Sequence, residues 1–162
     1  VTILIAIFIT LVIDRVWALR IVAEQTGVEH TIGTLKSALG LEVVARVIQD
    51  KGLSELAELD GSNPIALLEQ PPGNYLGELD APDPAGVKGN RWYFDRSRKL
   101  LIYRVAYSDY LKSPLSGPAR IRFMVRVDYR RDNSGDRSLS PQAGRIRGID
   151  LVPVERYQWV EE

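Results

Sequence analysis

The chain opens on thirteen residues, Val1–Ile13 (VTILIAIFITLVI), that carry no charge and only two threonines. Beyond them, apolar positions fall into helical spacing. Val28, Ile32, Leu35, Leu39 and Val43 recur at intervals of 4, 3, 4 and 4, which places them on one face of a helix. No proline interrupts the chain before Lys51, and Gly52 follows as a helix stop. The pattern predicts one helix to about residue 51, apolar on all sides at its start and amphipathic afterwards. At about 1.5 Å per residue it spans roughly 75 Å, too long to pack fully against a domain of this size. Part of it must be covered by something else, and lipid or neighbouring copies are the candidates.

After Gly52 the periodicity breaks up. LSELAEL (53–59) reads as one or two helical turns, and Asn63 caps a further turn that starts at Pro64 and runs through Leu68. Asn74 to Leu79 is an extended piece, and 80–90 (DAPDPAGVKGN) is a loop rich in Pro and Gly. Period two then takes over. Arg91–Asp95 and Lys99–Ala106 form a hairpin around a tight turn. In 120–130, Ile121, Phe123, Val125, Val127 and Tyr129 alternate with mostly charged neighbours. A last strand runs from Arg145 to Val154. The fold class is therefore α+β, a long N-terminal helix packed on a three- to four-stranded antiparallel sheet. It divides into an anchor half-helix, 1–24, and a globular domain, 25–162, with helix to about 51, a connection over 52–90 and the sheet over 91–160.

The apolar start changes the picture further. A spanning helix takes about 20 apolar residues, and Val16, Trp17, Leu19, Ile21 and Val22 extend the uncharged run past Asp14 and Arg15. We expect a single-pass inner-membrane anchor with a periplasmic domain, in which Ile3, Leu4, Ile7, Phe8 and Leu11 face lipid and Trp17 sits at the interface. Net charge is zero, but residues 1–80 hold 5 Lys/Arg against 11 Asp/Glu, and residues 81–162 hold 16 against 10. The two halves are thus oppositely biased and suited to attract one another, within one molecule or between copies. The chain has no cysteine and one histidine, His30. That excludes disulfides, thiolate metal sites and any site needing two histidines.

Two segments, Asn63–Leu79 (NPIALLEQPPGNYLGEL) and Asn90–Val105 (NRWYFDRSRKLLIYRV), together with the long helix ahead of them, resemble the type IV pilin and pseudopilin families. The resemblance includes membrane proteins of clusters such as that of the mannose-sensitive haemagglutinin pilus. It implies a structural or assembly role in a type IV pilus or a type II secretion pseudopilus, with other pilin subunits as partners and a pilus or extracellular filament as destination. The families carry an aromatic residue at position 1 and a glutamate at position 5, where this chain has Val1 and Ile5. Either the start is missing or the anchor is retained.

Candidate chemistry is sparse. No nucleophile motif, phosphate loop or metal-ligand pair stands out, no cofactor is implied, and the chain does not read as an enzyme. Arg120, Arg122, Arg126 and Arg130 share one strand face. They supply the second reading, a periplasmic or surface module that captures a polyanion such as DNA; a subunit-facing or solvated surface is the plainer account. Asp132, Asn133, Gly135 and Asp136 are first of all turn formers, with calcium binding as the minor reading.

Overall fold

A computed structural model describes residues 2–49, 53–129 and 146–160, and side chains ahead of Leu19 only for Ile5, Val12, Ile13 and Val16. Helix α1 runs Thr2–Ile48 without a break, 47 residues long, or about 70 Å. Its expected extension to Lys51 passes beyond the described residues. The absence of proline lets the i→i+4 ladder continue through three glycines. Thr31, Thr34 and Ser37 fold their hydroxyls back onto the carbonyls of Gly27, His30 and Gly33 at 2.9–3.0 Å, which satisfies three polar groups within the helix.

A short helix α2, Leu53–Ala57, and a 3₁₀ turn over Pro64–Leu67 follow. The turn is capped as the sequence predicts, with Asn63 Oδ1 accepting from the Ile65 N–H at 3.1 Å. The strands are β1 Tyr75–Leu79, β2 Arg91–Asp95, β3 Leu100–Arg104, β4 Leu111–Lys112, β5 Arg120–Tyr129, β6 Ile146–Pro153 and β7 Gln158–Trp159. The main sheet has five strands in the order β1-β2-β3-β5-β6, and β4 and β7 pair separately. The α+β class holds, but the sheet is larger than the three or four strands expected, and it is not wholly antiparallel. β1 pairs parallel to β2, with an irregularity between Tyr75 and Glu78 where Gly77 takes φ +96°. A parallel neighbour requires a return crossover. Residues 80–90 supply it, so the expected loop also helps to cover the sheet, with Val87 and Leu79 packing on Tyr93, Leu100 and Ile102.

The core lies on the other side of the sheet. Trp92, Phe94, Leu101, Tyr103, Ile121, Phe123, Val125 and Leu151 meet Val28, Leu35 and Leu39 of α1 and Leu56, Leu59 and Ile65 of the connection. Trp92 is central, with its ring centroid 4.8 Å from Tyr103 and 6.1 Å from Phe123. Gly89 is needed because a Cβ there would lie 2.6 Å from the Ala106 Cα. Gly89→Ala is expected to destabilise the fold by about 2 kcal/mol, read as a lower urea midpoint.

The inner-membrane anchor is overturned. Among the described residues no helix is long and apolar enough to cross a membrane. The physical reason is charge density: Asp14, Arg15, Arg20 and Glu24 fall within eleven residues of α1, more than an apolar span of roughly 20 residues carries. The single-pass placement, with the inner membrane as partner and the domain in the periplasm, falls with it. Ile3, Leu4, Ile7, Phe8 and Leu11 belong to α1, but their side chains lie outside the described set.

Candidate functional site

Three features of this fold bear on function, and each grows from a local sequence pattern. The first is the helix stripe. Val28, Leu35 and Leu39 are buried, and Ile32 and Val43, at the margins of the same face, are half-buried against the core. The stripe read from the sequence is therefore the surface that holds α1 to the sheet.

The side of α1 away from the sheet is the second. Val12, Val16 and Leu19 recur at helical spacing, as do Leu41, Val44 and Ile48, and all are exposed, Leu19 at 66 %, Leu41 at 72 % and Ile48 at 77 %. By the 3.6-residue period both rows lie roughly opposite Val28, Leu35 and Leu39. Exposed leucines scattered singly need no explanation, but two aligned rows on one helix do. The turns between them carry small residues, Ala23, Gly27, Gly33, Ser37 and Gly40. A Cβ at Gly27, Gly33 or Gly40 would meet nothing within 4 Å outside the helix itself. Each glycine costs a helix interior about 1 kcal/mol, so packing within this molecule gives no reason for them.

Third is the seam where α1 joins the sheet. Glu24 reaches across it to accept from the Tyr103 hydroxyl at 2.9 Å, from the Ala106 N–H at 2.7 Å and from the Tyr107 N–H at 3.2 Å. Burial, and then the Glu24 carboxylate beside it, push the Tyr103 phenol far above its ordinary range, so it stays a donor. Asn74 and Asn90 complete the seam, Asn74 Nδ2 donating to Asn90 Oδ1 at 3.1 Å. The cleft here measures about 590 Å³ and is also lined by Arg20 and His30. His30 is exposed, as expected of a polar surface residue. Glu24 is 79 residues from Tyr103, and nothing in its local sequence signals the tie.

Arg120, Arg122 and Arg126 are placed as the alternation implies, on the face away from α1. Their donors are largely spent on their own chain. Arg120 Nη1 donates to the Ser116 and Pro118 carbonyls at 3.0 and 2.9 Å. Arg122 forms a two-pronged pair with Glu155, its Nε at 3.1 Å from Oε2. Burial, then the neighbouring Arg120 and Arg98, pull the Arg122 guanidinium below its ordinary value. Arg126 donates to the Met124 sulfur at 3.6 Å. Arg130 and the 132–136 turn formers lie outside the described residues. Two members of the basic face escaped the sequence reading, Arg91 and Arg104. Hairpin register puts Arg91 beside Arg104, and Arg104 beside Arg120. The symmetrical placement of arginine at the two ends of RWYFD and LLIYR was the available signal.

No family model matches the chain, and neither the curated proteins nor the solved structures contain a match to it.

Proposed function

We propose that the chain is a structural subunit of a pilin-like assembly, of the kind that builds type IV pili or type II secretion pseudopili. It would act by packing the outer face of α1 against the same helix of other copies. The observation that carries this reading is the pair of exposed apolar rows on α1, opposite the face that the sheet covers. Burial of a leucine or valine side chain is worth about 1.5–3 kcal/mol, so the six residues of these rows are a substantial drive to associate. Gly33, Ser37 and Gly40 between them would let a second helix approach closely. The likeness of 63–79 and 90–105 to pilin-type segments points the same way. We assign it no catalytic role.

Because the chain has no cysteine, a single Leu41→Cys variant gives a clean test. Oxidation should join copies through residue 41, while a cysteine in place of Asp109, in an exposed 3₁₀ turn, should join few. Leu41→Glu/Val44→Glu should abolish association and leave the unfolding midpoint unchanged. A parent that sediments as a monomer at every concentration would remove this reading. Gly33→Ala adds a sign test. It should stabilise the isolated subunit by about 1 kcal/mol and yet weaken association, because the added methyl stands where a neighbouring helix would come.

A further inference from the structure

Charge in this protein is sorted by segment. Residues 52–87 hold seven Asp/Glu and no Lys/Arg, whereas residues 88–129 hold ten Lys/Arg and three Asp/Glu. The fold then sets Glu58 and Glu69 of the acidic segment on one side of the main sheet, while its Asp80 and Asp83 lie in the crossover on the other. Leu56, Leu59 and Ile65 of the connection pack into the core on the α1 side, so Glu58 and Glu69 are exposed on that side. Arg91, Arg104 and Arg120 alternate with the core residues Trp92, Tyr103 and Ile121 and therefore face the other way.

Arg91, Arg104 and Arg120 stand side by side across three strands. Like charges in direct cross-strand register repel, yet none of the three forms an ion pair with a carboxylate among the described residues. Of the acids on or beside this face, Asp95 is buried and bound to Arg98, Asp80 holds Arg96, Glu155 holds Arg122, and Asp150, in register with Arg126, holds Lys36; Asp83 accepts from the Ala85 N–H, and Asp128 shares the strand face of Arg126. Carbonyls give partial relief: Arg104 Nε donates to Pro84 O at 2.9 Å and Val87 O at 3.2 Å. They leave the positive charge uncancelled. Glu58 and Glu69 likewise have no ion-pair partner among the described residues, and the sheet stands between them and the arginines.

We propose that the arginine row on the outer face of the sheet docks on the acidic connecting segment, around Glu58 and Glu69, of a second copy. Since the two patches are different surfaces on opposite sides, the contact is head to tail and repeats from copy to copy without closing on itself. The helix contact joins like surfaces; this one joins unlike surfaces and supplies direction. It rests on the assembly reading above but uses none of its residues.

A charge swap on the full chain tests it. Arg91→Glu/Arg126→Glu reverses members of the basic face that hold no carbonyl, and Glu58→Lys/Glu69→Lys reverses the acidic one. Each variant alone should associate at least about tenfold more weakly than the parent by sedimentation. An equimolar mixture of the two should recover association, as should the chain carrying all four changes. Parent association should also fall from about 50 mM to about 500 mM salt. Single variants that associate like the parent would overturn the contact. If Leu41→Glu/Val44→Glu then abolishes association, the helix reading survives alone. If the helix variant has no effect while the swap behaves as expected, the helix reading fails and this contact stands. A basic-face variant that associates normally but loses binding of a single-stranded DNA oligonucleotide bound by the parent would assign the arginines to a polyanion instead.

Discussion

Trp92→Ala is expected to lower the unfolding free energy by about 3–5 kcal/mol, the usual cost of emptying a large aromatic site in a packed core. The residue is buried among Tyr103 and Phe123 from the two strands beyond it, and no neighbouring ring can turn into the space without breaking another contact. Tyr103 is held by its bond to Glu24, and Phe123 by its edge contact with Tyr157 at 6.0 Å. The cavity therefore stays open, and the loss exceeds the transfer term alone. Urea unfolding followed by circular dichroism gives the number. A loss below about 1 kcal/mol would mean that the helix and sheet do not pack as described. Trp92→Phe should recover about half.

Asp95→Ala should cost about 3 kcal/mol, by a different route. Asp95 is fully buried at the end of β2. Its Oδ1 accepts from the Ser97 hydroxyl at 2.6 Å and from the N–H groups of Ser97, Arg98 and Ala81 at 3.0, 3.3 and 3.3 Å. Its Oδ2 accepts from Arg98 Nη1 at 3.2 Å. One carboxylate thus shapes the β2–β3 turn and fixes the start of the crossover, where Ala81 takes φ +42°. Burial pushes this carboxyl up, but the Ser97 hydroxyl, the Arg98 and Ala81 N–H groups and the Arg98 charge outweigh it and hold it below the ordinary value. The sign follows. A lowered folded value means that the ionised group stabilises the fold fully above the unfolded value of about 3.9, and that this is lost as pH falls through the folded value. The stability gap between parent and Asp95→Asn should be constant from about pH 7 to pH 5 and narrow below about pH 4. A gap that widens in acid would contradict it.

Much of this architecture is legible in the sequence where one physical rule acts alone. Alternation over 120–129 is unbroken, so β5 and its two faces follow directly. The spacing from Val28 to Val43 picks out the packing face of α1, because a helix that long without proline has one period. The rest depends on pairings that no local pattern encodes. β1 is five residues long with Gly77 inside it, which reads as a weak extended piece, and its parallel pairing rests on a crossover made of turn-forming residues. β4 and β7, two residues each, are below the length at which alternation means anything. Apolar content at the start of α1 invites a membrane reading, while the charges at 14, 15, 20 and 24 argue against a span. The outer rows at Leu41, Val44 and Ile48 were present in the sequence but became meaningful only when the sheet was seen to cover the other side. The basic face was legible as a strand pattern; that its arginines bond to carbonyls and to Glu155 was not.

Glu24 has one more consequence. It lies near the point where α1 reaches the sheet, with Arg20 lining the same cleft one turn earlier, so a pull on the first half of the helix bears on this carboxylate. Its three hydrogen bonds, to Tyr103, Ala106 and Tyr107, take such a load together in shear. Behind them the next grip is Val28, one turn on, and then Leu35 and Leu39. Tension along the helix would therefore part the polar tie before it disturbs the aromatic core, giving the subunit a little slack while the domain stays folded.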